Sequence, residues 1–196
     1  MPAQRVITRD DILPMEKYAA ERSEQRKQMT ALKKNRRVAV GPDATFYFES
    51  YATMWYQIHE MLHVEKGGEE QIADELEAYN PLIPKGNELV ATMMFEIEDP
   101  DRRDRILRQL GGVEETVTMT VGNEIIKAVP ESDIERTKSD GKTSSVHFLH
   151  FPFTESQIEP FKQAGEKIVL GIGHEHYAHM TILPEASRAS LSEDFD

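Results

Sequence analysis

The sequence predicts an α+β protein: a helical first half (three helices plus a short strand pair) packed with a mostly antiparallel sheet in the second half. Two patterns carry this expectation. Up to Tyr79 the apolar residues recur mainly at three- and four-residue spacing. From Glu88 onward, runs of alternating apolar and polar residues are separated by turn-forming residues. Length sets the third constraint. With 196 residues, the chain 1–196 is long enough for a single domain with a sizeable core, or for two lobes, 1–85 mainly helical and 86–196 mainly β with short helices.

Taken in order, Thr8-Arg9-Asp10-Asp11 resembles a capping box and Pro14 suits a first helical turn, so a long helix is expected to begin there. Its face Met15, Tyr18, Arg22, Gln25, Met29, Leu32 is apolar only at its ends, which leaves the middle for solvent or a partner. The basic run Lys33-Lys34-Asn35-Arg36-Arg37 complements the negative end of the helix dipole. Val38–Val40 and Ala44–Phe48 read as two strands around Gly41-Pro42-Asp43, and the next helix starts near Tyr51 and stops at Gly67-Gly68. Another runs from Glu69 to Tyr79 with Ile72, Leu76 and Tyr79 on one face, ahead of Pro81 and Pro84.

In the second half, Glu88–Glu98 alternates as a half-buried strand, and Asp99-Pro100 caps a helix that Gly111-Gly112 ends. Val117–Val121 and Glu124–Ile126 form a hairpin about Gly122-Asn123, followed by a polar loop from Pro130 to Thr143. A strand over Ser145–Phe151, a helix over Thr154–Ala164 and a hairpin of Lys167–Ile172 with Tyr177–Leu183 complete the expected elements. An acidic tail closes the chain.

Composition narrows the chemistry. Lys+Arg 23 against Asp+Glu 35 gives a formal charge of -12, which works against binding nucleic acid or anionic membranes. The absence of cysteine removes disulfides, thiolate nucleophiles, iron–sulfur ligation and Cys-based zinc sites. Neither a signal-type segment nor an apolar run of roughly 18 residues is present, so a cytoplasmic location is expected.

The sharpest string is His59-Glu60-Met61-Leu62-His63. Histidines four apart on a helix share a face and can hold Zn²⁺, with the glutamate as general base on a metal-bound water. Met54, Trp55, Ile58, Met61 and Leu62 form the opposite, packed face, leaving His59 and His63 to face away from the core. A third ligand is needed. The extended glycine–histidine form is absent after His63, so Glu75, Glu77 or Glu88 would have to serve. A second candidate site is a polar pocket between two helices, drawing on Glu49, Tyr56, Gln57, Glu60, Tyr79 and Asn80. Of the other histidines, His147 and His150 lie on opposite strand faces, while His174 and His176 could face the same way.

Several blocks in this order resemble an uncharacterised bacterial family, domain of unknown function 3501. They are Thr8–Pro14, Arg36–Pro42, Tyr56-Gln57-Ile58 with Glu60-Met61, Tyr79–Pro84 and Glu96–Pro100. The resemblance covers nearly the whole chain. It implies a stand-alone cytoplasmic protein whose genes tend to lie beside those for rubrerythrin-like di-iron and iron–sulfur redox proteins. That setting implies an accessory role in redox or peroxide metabolism. In the family pattern glutamine and arginine are usual where this chain has His59 and His63, which shifts weight from the histidines to the carboxylate and tyrosine pocket. The leading expectation is therefore a binding module for a partner, a small ligand or a divalent metal (zinc or iron). The rival is a zinc-dependent metallohydrolase using His59, Glu60 and His63.

Overall fold

The structure is a computed structural model that describes residues 4–131 and 141–196. Its elements run α1 (Met15–Lys34), β1 (Arg37–Val40), β2 (Ala44–Phe48), α2 (Tyr51–Glu65), α3 (Gly68–Tyr79) and β3 (Glu88–Phe95). They continue with α4 (Pro100–Gln109), β4 (Val117–Val121), β5 (Glu124–Lys127), β6 (Val129–Pro130), β7 (Val146–Pro152), α5 (Glu155–Lys162), β8 (Ile168–His174), β9 (Tyr177–Ile182) and α6 (Glu185–Ser192). Most of the expected polar loop from Pro130 to Thr143, residues 132–140, lies outside the described residues.

Two antiparallel sheets result, in the orders β1-β2-β3-β7-β6 and β5-β4-β8-β9. The fold class is the α+β expected. The strand pair β1–β2 of the first half joins the larger sheet directly, because Ala44–Phe48 pairs with Phe95–Ala91 of β3. A cut at 85/86 would therefore divide one sheet. Phe46, Leu89, Met93, Leu149 and Phe151 of the five-stranded sheet and Met119, Leu170 and Ile172 of the other share one buried core. The opposite face of the larger sheet meets a second cluster, formed by Met54, Ile58 and Leu62 of α2, Ile72 of α3 and the amino-terminal Ile7 and Ile12 around Val90. The order of layers is thus helices, large sheet, small sheet.

Local chemistry explains the boundaries. The Thr8 capping box is present, but Asp11 accepts from the Thr8 N–H and hydroxyl to close only a three-residue 3₁₀ turn, Arg9–Asp11. The long helix begins one turn later, at Met15 after Pro14. Ser50 and Thr53 cap α2 reciprocally, and Lys66 ends it in the left-handed region. Gly41 holds φ +71° in the β1–β2 turn, where a Cβ would lie 2.6 Å from the His179 ring. Beside that turn the Tyr177 hydroxyl accepts from the Asp43 and Ala44 N–H groups and donates to the Val40 carbonyl, which fastens the two sheets together.

The segment read as an acidic tail is a packed helix. Pro184 precedes α6, Leu191 and Phe195 are buried, and Asp194 forms a buried ion pair with Arg36. No helix among the described residues is long and apolar enough to cross a membrane.

Candidate functional site

His59 does not face away from the core. Its side chain is fully buried, its ring 3.9 Å from that of Trp55 and 4.9 Å from that of Tyr18 (centroid to centroid). The amino-terminal segment folds over α2, so a residue two turns into that helix is covered by the chain that precedes α1. Nδ1 donates to the Trp55 carbonyl at 2.7 Å, and Nε2 accepts the Leu13 N–H at 3.0 Å. These contacts define one neutral tautomer and use both ring nitrogens. Burial holds the imidazole below its ordinary pKa.

Glu60 is equally committed. Arg22 of α1 grips it with two bonds of 2.8 Å, and the Tyr18 hydroxyl donates to Oε1 at 2.7 Å. The Arg22 guanidinium pulls its carboxyl down to about 2, against the opposing effect of burial. The string Glu60 belongs to thus clasps α1 onto α2. Among the described residues, no group of three or more His, Asp or Glu side chains is placed to hold a metal ion, and this includes His59, His63, Glu75, Glu77 and Glu88. Glu75 instead accepts from Gln71, while Glu88 contacts His150 at 3.0 Å.

The six residues of the expected polar pocket are spread over separate places. Asn80 fastens the amino-terminal segment, accepting the Ile7 N–H and donating to its carbonyl. Glu49 and Gln57 line a cavity of about 230 Å³, where Glu49 accepts from the Thr53 and Thr92 hydroxyls at 2.6 and 2.8 Å. Gln57 also reaches the Tyr79 hydroxyl. Tyr56 lies in a neighbouring groove and Glu60 stands with Arg22. Glu49 and Gln57 thus share a cavity, with Tyr79 beside Gln57.

That neighbouring groove is the more pronounced feature. It has a volume of about 520 Å³ and is lined by Arg26, Met29, Thr30, Lys33 and Lys34 of α1, Arg37 of β1 and Tyr56 of α2. Four cations and no carboxylate line it, while Glu60 and Glu96 lie near enough to act on Tyr56 and Arg37. Lys33 sits 5.7 Å from the Tyr56 ring centroid and Arg37 4.8 Å from that of Tyr47, and Lys33 also borders the smaller cavity. None of the four is in an ion pair among the described residues. The basic run Lys33 to Arg37, expected to complement the dipole of α1, does not present one common face. The structure divides it: Arg36 turns inward to the Phe48 and Glu49 carbonyls and to Asp194, whereas Lys33, Lys34 and Arg37 border open space. The signal was legible as Arg26, Lys33 and Lys34, at i, i+7 and i+8, which fall on one side of a helix.

Fold and groove together define an α/β/β protein that presents a cationic, aromatic-floored surface suited to carboxylates or phosphates. The chain belongs to the family described as protein of unknown function (DUF3501), whose model matches residues 6–195. It is similar over 97% of its length, at 38% identity and a TM-score of 0.90, to all of a crystallised novel protein of unknown function from Burkholderia pseudomallei K96243. No curated protein matches it.

Proposed function

We propose that this chain is a non-catalytic binding module of the bacterial cytoplasm whose basic groove, beside the second half of α1, docks an acidic surface of a redox protein. The observation that carries the reading is the set of Arg26, Lys33, Lys34 and Arg37 around one groove, unpaired among the described residues, in a chain of net charge -12. A cationic patch of this kind stands out against the acidic remainder of the chain and offers an outside anionic surface a complementary landing place. The helix that bears three of the four is suited to docking. Only Tyr18 and Met29 of its twenty residues are buried, and Arg22 pins it to α2, so its outer side stays free. The family resemblance supplies the partner class, rubrerythrin-like di-iron or iron–sulfur proteins in redox or peroxide metabolism. The zinc-hydrolase reading gains no support from His59, whose two nitrogens are both taken by the backbone.

The test is binding of the immobilised protein to a purified rubrerythrin-like protein and to an iron–sulfur oxidoreductase from the same genome. Binding should weaken several-fold between about 0.05 and 0.5 M salt and be lost on Lys33→Glu with Lys34→Glu. Failure to bind either protein, or binding indifferent to the charge reversal, removes the groove as the docking surface.

A further inference from the structure

The outward face of the four-stranded sheet has a composition at odds with a solvated surface. Strand pairing places Ile125, Thr120, Val169 and Ile182 in one row across β5, β4, β8 and β9. Lys127, Thr118, Gly171 and Met180 form the row beside it. An antiparallel sheet with one face on the core normally turns polar residues outward. Here Ile125, Met180 and Ile182 are 68%, 76% and 59% exposed.

Glycines add a second, independent observation. Gly171 and Gly173 point the same way from β8, and neither has a left-handed backbone. A Cβ on Gly171 would meet its nearest neighbours at 3.7 Å, and one on Gly173 at 3.5 Å, both ordinary contact distances. Nothing among the described residues therefore demands a bare backbone at either position, although glycine weakens a strand. A surface that must come close from outside does demand it. Met180 pairs directly with Gly171, so a projecting side chain stands beside a hole.

We propose that this face is the contact between two copies of the chain, related by a two-fold axis that lays Met180 of each over Gly171 of the other. An isologous interface needs bump and hole on the same patch, and this row provides both. Charge permits the same occupant. Two chains of net charge -12 repel across most approaches, whereas these two rows hold no carboxylate and a single cation, Lys127, itself 3.5 Å from Glu115. The basic groove lies on the far side of the five-stranded sheet from this face. Dimerisation therefore leaves it open, and the two proposals stand or fall separately.

Sedimentation equilibrium of the untagged protein over about 1–100 µM tests the contact. Two chains per particle are expected for the wild type. Met180→Glu, which places like charges across the axis, should raise the dimer dissociation constant at least tenfold, as should Gly171→Leu, which fills the hole. Circular dichroism and thermal melting check that each variant keeps the native fold, and either folded variant suffices. A wild type that is monomeric throughout overturns the proposal, and so does a dimer that the folded variants leave intact.

Discussion

His59 and Glu60 are adjacent in sequence yet serve different neighbours, the first the amino-terminal segment and the second α1. Their roles follow from where each hydrogen bond goes. The Glu60 carboxylate takes three donor bonds from Arg22 and Tyr18, so its charge is compensated where it sits. Glu60→Gln is expected to cost about 1–2 kcal/mol at neutral pH, at the low end for a charged hydrogen bond because Arg22 is partly exposed to solvent. Because the folded carboxyl lies at about 2, below its ordinary value of 4.5, its contribution is complete above about 4.5 and fades as the pH falls toward 2. Urea titrations followed by Trp55 fluorescence should accordingly show wild type and variant converging in acid. A constant gap from pH 7 to 2 would mean that packing, not charge, is what the substitution disturbs.

At the scale of elements, α6 shows what local pattern can and cannot reveal. α2 and α3 were legible because capping residues, glycine stops and three-four spacing agree, and the hairpins because alternation meets turn residues. The carboxy-terminal segment offered only Leu191 and Phe195 among polar neighbours, and the contacts that fix it are distant in sequence: Arg36 reaches Asp194 from 158 positions away, and Arg188 donates to the Phe161 and Lys162 carbonyls. No spacing rule reports such a contact. The same holds for the polar pocket, since whether Glu49, Tyr56, Glu60 and Asn80 converge depends on how the amino-terminal segment, α1 and β3 pack around α2. Arg36 makes the cost of losing that tertiary contact measurable. Its guanidinium also binds the Phe48, Glu49 and Ser190 carbonyls, and burial pushes the Asp194 carboxyl up while Arg36 opposes this. Arg36→Met should cost about 3–5 kcal/mol in denaturant unfolding, because a carboxylate then stays buried without its cation. Arg36→Met with Asp194→Leu should regain much of that loss. Equal losses in the single and double variants would show that the carbonyl contacts, rather than the ion pair, hold α6.

Across the whole molecule, two histidines on the helical side of the large sheet bind protons in opposite senses, and together they shape its stability near neutral pH. His59 has a folded pKa below its ordinary value of 6.5 because burial disfavours the cation. Its contribution is complete above about 6.5 and is lost as the pH falls through the folded value, when the unfolded chain takes up a proton that the native state resists. His150 is the reverse. The bond to Glu88 at 3.0 Å, aided by Glu131 at 3.5 Å, raises its pKa, so its contribution is complete below about 6.5 and is lost as the pH rises through the folded value. These two contacts tie different pieces together: His59 holds the amino-terminal segment to α2, and His150 joins β7 to β3 and to the residue after β6. Unfolding free energy measured in urea from pH 4 to 9 should therefore have two independently removable flanks. His59→Gln keeps a donor and an acceptor but does not titrate, so it should flatten the decline below about 6.5 and leave the alkaline side unchanged. His150→Gln should lower stability at pH 6 and flatten the loss on the alkaline side. If either variant merely shifts the whole curve, the histidine concerned contributes through packing rather than through its proton.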